Sequence, residues 1–270
     1  MPLLNLTRLR VLTLFILLVV GWTGKSVCLA KATSTPIDSL ESIISRMEIP
    51  KCKYTDEILV YTGFVVSYNT ETLIPNWVAY ELTIEETEGE ISRNGSFGMD
   101  LSYTNRQAMR EDYSYSGWDK GHMAPAADMK WSQEAMWESF YLTNVCPQDH
   151  DLNGGDWLRL ENKVRDWARK HGTIYVVCGP IIGTKKYGDI GNNCVAVPDA
   201  FFKAMLITLG DTFYSIAFYM NNEGTRHSLR SYARTVNEIE EISGLDLFPN
   251  IPDEIEEMVE GTFSLDFWGL

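Results

Sequence analysis

The feature that most constrains this chain is a set of β-prone runs that are apolar from end to end rather than alternating. Thr173–Ile182 (TIYVVCGPII) and Phe201–Thr208 (FFKAMLIT) place apolar side chains at both odd and even positions. Successive side chains of a strand point to opposite faces, so such runs must be covered on both. Ile58–Tyr68, Trp77–Ile84, Val195–Val197 and Tyr214–Met220 share this character. The chain therefore needs a central sheet with a layer on each side.

Helical patterns between and after these runs supply the cover. Gln133–Leu142 follows Ser132, a side chain suited to an N-cap. Trp157, Leu160, Val164 and Trp167 recur at helical spacing, which predicts an amphipathic helix from Gly155 to about Lys170, ended by Gly172. Thr235 and Glu238 form a capping-box pattern before Ile239 and Ile242, and Gly244 stops that helix. A last short helix begins at Pro252 and ends near Gly261. The expected class is α+β (mixed α/β): a single domain whose central β-sheet is flanked by helices.

The first thirty residues stand apart from that domain. Arg8 and Arg10 precede an apolar run from Val11 to Trp22, and Cys28-Leu29-Ala30 closes the segment. This pattern predicts a signal peptide over residues 1–30 and an exported protein, secreted or periplasmic. An uncleaved N-terminal anchor is the alternative, although the run falls short of the roughly 20 residues a membrane span needs. Residues 31–50 read as a leader segment with a short helix, Ile37–Met47. Residues 51–270 read as the catalytic domain.

Net charge is −14 and becomes −17 without the basic Arg8, Arg10 and Lys25. That balance excludes a protein held to nucleic acid by its overall field, but not one with a locally positive cleft. From Val236 to Glu260 there are nine acidic residues and no basic one. Cys52, Cys146, Cys178 and Cys194 have no C-x₂₋₄-C spacing, so a zinc site is excluded. A Cys178–Cys194 bridge and buried free thiols are the two readings of these cysteines.

Two segments carry the chemistry. The first is Trp118-Asp119-Lys120-Gly121-His122-Met123-Ala124-Pro125. Alone it says little, because a histidine beside an acid and a base is commonplace. The second runs from Thr143-Asn144 through Pro147-Gln148 to Asn153, then Glu161 and Arg165. Asn153 lies where the long helix begins, and Glu161 and Arg165 share one side of it at i and i+4. Eight residues separate Asn153 from Glu161, about 12 Å of helix rise. One ion cannot comfortably be ligated by both, but a water on the ion can bridge the gap.

These motifs resemble those of the DNA/RNA non-specific endonucleases, which share a ββα-metal active-site motif and include mitochondrial endonuclease G. Asp119-Lys120-Gly121-His122 is similar to the family's Asp-Arg-Gly-His box. Asn144 to Gln148 resembles its Asn-x-x-Pro-Gln segment, and Asn153 with Glu161 its Asn and Glu eight residues apart. Flanking similarity extends from about Tyr61 to Pro249. The resemblance implies an endonuclease acting on DNA and RNA, with His122 as general base. It implies Asn153 as the one protein ligand of a Mg²⁺ ion, with Mn²⁺ as a substitute. Glu161 would position waters, Asn144 would help hold the site, and Arg165 would lie near the scissile phosphate. Lys120 and Arg93 would bind substrate phosphate. Lys120 stands where the box usually has Arg, so it keeps the charge and loses the bidentate fork.

The chemistry is sound on general grounds. A neutral imidazole takes a proton from water, a contribution of roughly 10²- to 10⁴-fold, and its protonation predicts falling activity below about pH 6.5. Groups that address only phosphate read no sequence. Two rivals remain at this point: a catalytically inactive nucleic-acid- or protein-binding module on the same fold, and a phosphodiesterase for a small phosphate ester. Trp118, Trp131, Trp137 and Trp157 are candidates for base stacking, with core packing the favoured reading for them.

Overall fold

The computed structural model describes residues 28–31 in backbone, residue 42, and residues 45–52 and 57–270. The strands are β1 (Cys28–Lys31), β2 (Glu57–Val60), β3 (Val65–Asn69), β4 (Ile74–Leu82), β5 (Asp119–His122), β6 (Val145–Gln148), β7 (Ile174–Ile181), β8 (Asp189–Ile190), β9 (Val195–Ala196), β10 (Ala200–Leu209), β11 (Thr212–Asn221) and β12 (Ala233–Arg234). Eight of them form one sheet in the order β1-β2-β3-β4-β7-β10-β11-β12. Only β1 and β2 run parallel; the other neighbours are antiparallel. The β5–β6 and β8–β9 pairs lie outside this sheet.

The all-apolar runs are buried on both faces, as their pattern demands. On one face Val66, Val78, Tyr80, Cys178, Phe201 and Met205 pack with Leu160, Val164, Trp167 and Ala168 of the long helix. On the other, Val65, Trp77, Val177, Phe202 and Leu206 pack with Val236, Ile239, Phe248 and Val259 of the C-terminal segment. Each fully buried large apolar side chain contributes roughly 1.5–3 kcal/mol. Both capping signals near the C-terminus hold. Thr235 Oγ1 accepts from Glu238 N, Glu238 accepts in return from Thr235 N, and Gly244 ends the helix at φ 69°. The helix after Pro252 spans Asp253–Glu260.

Several local expectations change. Ile58–Tyr68 is two strands, because the chain turns at Thr62-Gly63 and Tyr61 N bonds to Phe64 O. A Cβ on Gly63 would lie 2.4 Å from Met129 Sδ, so a side chain there would have to displace the Met129 thioether. Val195–Val197 belongs to the β8–β9 ribbon and not to the central sheet. The helix after Ser132 is Gln133–Glu138, shorter than expected. The long helix proper is Leu158–His171, entered through a wide turn over Asn153–Trp157 with Gly155 at φ −112°, ψ −106°. Most of the expected helix Ile37–Met47 lies outside the described residues, and its end at 45–47 is turn and bend. The expected signal peptide lies outside them too, except that its junction after Ala30 falls within β1. Among the described residues no helix is long and apolar enough to cross a membrane.

The expected Cys178–Cys194 bridge does not form. Cys178 is buried in the middle of β7, where its Sγ donates to Met123 O at 3.2 Å, whereas Cys194 is exposed in the β8–β9 turn. Cys146 is buried, and Cys52 Sγ donates to Pro50 O at 3.4 Å.

Candidate active site

Two antiparallel strands and the long helix build the site. The β5–β6 register sets Asp119 opposite Gln148, Gly121 opposite Cys146 and His122 opposite Val145. Gly121 is required by packing: a Cβ there would stand 2.1 Å from Gln148 Oε1 and 2.6 Å from Gln148 Cβ. Beyond β6, Asp149 accepts from Asp151 N and Leu152 N, each at 3.0 Å, and turns the chain into the helical segment that carries Asn153.

The backbone on either side of His122 is held from beneath. Trp157 Nε1 donates to His122 O at 3.3 Å, and Lys203 Nζ donates to Met123 O at 3.3 Å. Asn144 accepts from Ala124 N and donates to Ala124 O, both at 2.9 Å, and donates to Ser139 O at 2.8 Å. The imidazole lies against Phe97 and Phe140, with centroids 4.9 and 5.0 Å away. Its buried Nε2 has no hydrogen-bond partner among the described residues. Burial first, and the charge of Arg93 second, hold His122 down at about 3, so the ring is neutral. This burial shifts the expected protonation of the imidazole to below the ordinary value near 6.5.

Across the cleft, Asn153 Nδ2 donates to Asp119 Oδ2 at 2.9 Å, and His150 Nδ1 meets the same oxygen at 2.9 Å. Tying the amide nitrogen to Asp119 leaves Asn153 Oδ1 as the free end. Glu161 is buried on the helix one turn and more beyond, and burial raises its carboxyl to about 7 against the opposing pull of Lys203. Arg93, Lys120, His122, Asn153 and Glu161 all line one cleft of about 450 Å³, with Phe97 and Trp118. Lys120 lies over the rings of Tyr113 and Phe97 at 5.3 and 5.8 Å. A larger hollow of about 750 Å³, between Lys51, Asn76 and Asp246, holds none of these side chains and offers no comparable chemistry.

One expected role changes. Arg165 does not line the cleft: its guanidinium is 2.5 Å from Asp128 Oδ1 and also bonds Asn162 Oδ1 at 2.6 Å. Its charge is neutralised inside the protein, behind Glu161. Asn144 is fully buried with its amide bonded only to backbone, so it shapes the loop after His122 and does not touch substrate. Core packing holds fully for Trp157 and in part for Trp118, which packs against the edge of the core, but not for Trp131 or Trp137. Trp131 and Trp137 are 36% and 55% exposed, and Trp118 is a half-buried wall of the cleft. Asp119, Phe97, Phe140, Asp128 and Lys203 carry no role that sequence reasoning assigns. Asp119 leaves a signal as the first residue of the Asp-Lys-Gly-His box, and Lys203 as a charge inside a run otherwise destined for the core.

Residues 45–254 match the DNA/RNA non-specific endonuclease family. The chain belongs to this family. It is 36% identical over 227 residues to the mitochondrial nuclease EXOG of Danio rerio, covering 78% of this chain and 66% of that protein. It is 35% identical over 203 residues to the mitochondrial endonuclease G of Homo sapiens, covering 70% of this chain and 68% of that one. A crystal structure of an EndoG/EndoGI complex superposes with a TM-score of 0.73 at 28% identity, over 82% of this chain and 95% of that chain. The chain spans less than two thirds of the length of the EXOG relatives it matches, between 58% and 66%. The similarity extends to the central sheet and the ββα-metal architecture, and the family is one of hydrolytic nucleases. The relatives' mitochondrial names overturn the expectation of export. A basic, acid-free N-terminal segment is common to secretory and mitochondrial leaders.

Proposed function

We propose that residues 51–270 form a divalent-cation-dependent endonuclease domain that hydrolyses phosphodiester bonds of DNA and RNA without reading sequence. The observation that carries this reading is the convergence of a neutral histidine, a free amide oxygen, a buried carboxylate and two cations in one cleft. A phosphate entering between Arg93 and Lys120 is neutralised from two sides. Its negative charge also offsets the Arg93 charge that depresses His122, and the imidazole gains basicity as the substrate arrives. His122 then takes a proton from the attacking water, while Phe97 and Phe140 and the bonds beneath its backbone keep the ring aimed.

A cation held by Asn153 fits the donors present. Asp119 fixes the amide so that Oδ1 is the available oxygen. Glu161 stands near with no hydrogen-bond partner among the described residues, suited to organising water. Among the described residues no group of three or more His, Cys, Asp or Glu is placed to hold an ion, which suits Mg²⁺ or Mn²⁺ keeping most of its waters. When bound, the cation supplies Lewis-acid stabilisation of charge on the phosphoryl oxygens.

The test is cleavage of supercoiled plasmid and of RNA, with EDTA and after adding Mg²⁺ back. EDTA should abolish cleavage of both, Mg²⁺ should restore it, and Asn153→Ala should lose most of the activity while retaining nucleic-acid binding. Cleavage unaffected by EDTA, or an undiminished Asn153→Ala variant, would overturn the cation's role. Binding with no cleavage under any condition would favour the inactive binding module.

A further inference from the structure

The active cleft continues past its phosphate-binding groups to an aromatic side chain that the proposed hydrolysis leaves without a role. Side chains two apart on a strand share a face, so His122, Lys120 and Trp118 follow one another along β5 and the residue before it. All three line the cleft. Trp118 stands four residues from His122, about 13 Å along an extended chain. The order is therefore proton acceptor, cation, aromatic ring. Trp77, Trp157, Trp167 and Trp268 are each 1% exposed, but Trp118 is half-buried: one part of its side chain packs against the edge of the core and the rest lines the cleft, and among the described residues no group accepts from its indole N–H.

Its orientation is set in advance. Gly117 precedes it at φ 84°, a conformation other residues rarely adopt, and Trp118 N bonds to Ser116 Oγ at 3.2 Å. Its ring and that of Tyr187 meet edge to face, with centroids 5.0 Å apart and planes at 65°, and Tyr187 is itself covered by Lys186 at 4.7 Å. A large aromatic side chain held rigid in a polar, cationic cleft loses little freedom on meeting a flat ligand.

We propose that Trp118 is a nucleobase-stacking subsite. It would take an unpaired base of a nucleotide neighbouring the attacked phosphate and favour single-stranded or frayed substrates over intact duplex. The inference rests on the nuclease reading above. Stacking needs the base out of its duplex, and every base presents a π-face, so Trp118 discriminates strandedness without reading sequence.

The experiment compares the full chain with Trp118→Ala and Trp118→Phe on three oligonucleotides: single-stranded, fully duplex, and single-stranded with scattered abasic sites. Binding is followed separately in EDTA by quenching of tryptophan fluorescence with oligothymidylate. The Ala variant should lose roughly 5- to 150-fold in kcat/KM on the single strand, mainly through KM, and far less on the duplex. The Phe variant should retain most of the wild-type preference, and the Ala variant should cut abasic and intact single strands alike. Quenching should be weaker in Trp118→Phe than in wild type, since one responding indole is gone. An Ala variant with wild-type kinetics on the single strand would overturn the subsite. So would an equal loss on all three substrates, or wild-type quenching in the Phe variant. A wild-type chain that quenches with oligothymidylate but cuts nothing would overturn the nuclease reading and leave the stacking subsite supported.

Discussion

Glu161→Gln offers a quantitative test, because the buried carboxyl sets stability against function at one atom. Burial, the largest influence, raises Glu161 to about 7, whereas an exposed glutamate in the unfolded chain titrates near 4.5. Between those values the folded protein holds a proton that the unfolded chain has released. Stability therefore falls as pH rises from about 4.5 to 7, and the loss is complete above 7. A displacement of that size corresponds to about 3 kcal/mol at 1.36 kcal/mol per pH unit. The substituted glutamine has nearly the same shape and no charge to bury. Denaturant unfolding in EDTA, with wild type and variant compared at pH 5 and pH 8.5, isolates this contribution. Shifted groups elsewhere, such as Glu138 and Glu260, are common to both proteins and cancel. The variant should gain about 3 kcal/mol over wild type at pH 8.5 relative to the same difference at pH 5, and should lose most cleavage. An equal difference at the two pH values would refute the reasoning, since Glu161 would then ionise as readily folded as unfolded.

The remaining predictions concern the walls and supports of the cleft. His122→Ala should slow cleavage of DNA and RNA by about 10²-fold or more with the fold retained, measured by initial rates and circular dichroism. NMR titration of the wild-type protein in EDTA should find the His122 ring neutral well below pH 6, and a midpoint near 6.5 would contradict its sealed setting between Phe97 and Phe140. Gly121→Ala should destabilise by about 1–3 kcal/mol and depress activity, because its Cβ must push Gln148 and open the β5–β6 pair; Gln148→Ala should relieve part of this. Trp268→Ala should cost about 3–5 kcal/mol in a thermal or denaturant melt, since its buried ring packs 4.8 Å from Trp167 and its Nε1 bonds Ser215 O at 3.2 Å.

Sequence alone determined the parts that depend on nearest neighbours and on period. The apolar runs at both parities specified a sheet covered on two sides. Ser132, Thr235 and Gly244 marked helix ends, since a cap is made by residues three or four apart. The order and spacing of Asp119 to His122, Asn144 to Gln148, Asn153 and Glu161 identified the family, and those residues meet in one ββα unit, with His122, Asn153 and Glu161 along its cleft.

Tertiary structure decided what each side chain is free to do. Arg165 and Glu161 look equivalent on one helix face. The short turn Ala126–Asp128 after β5 brings Asp128 to Arg165, which pairs with it, and leaves Glu161 to the cleft. Asn153 and Asp119 are 34 residues apart and Met123 and Lys203 are 80 apart, so no local pattern carries those contacts. The four tryptophans of the motif region are chemically identical in sequence, yet Trp157 is core, Trp131 and Trp137 face solvent, and Trp118 lines the cleft. Which polar groups remain available after folding depends on long-range packing, and those available groups, rather than the motif as a whole, make up the site.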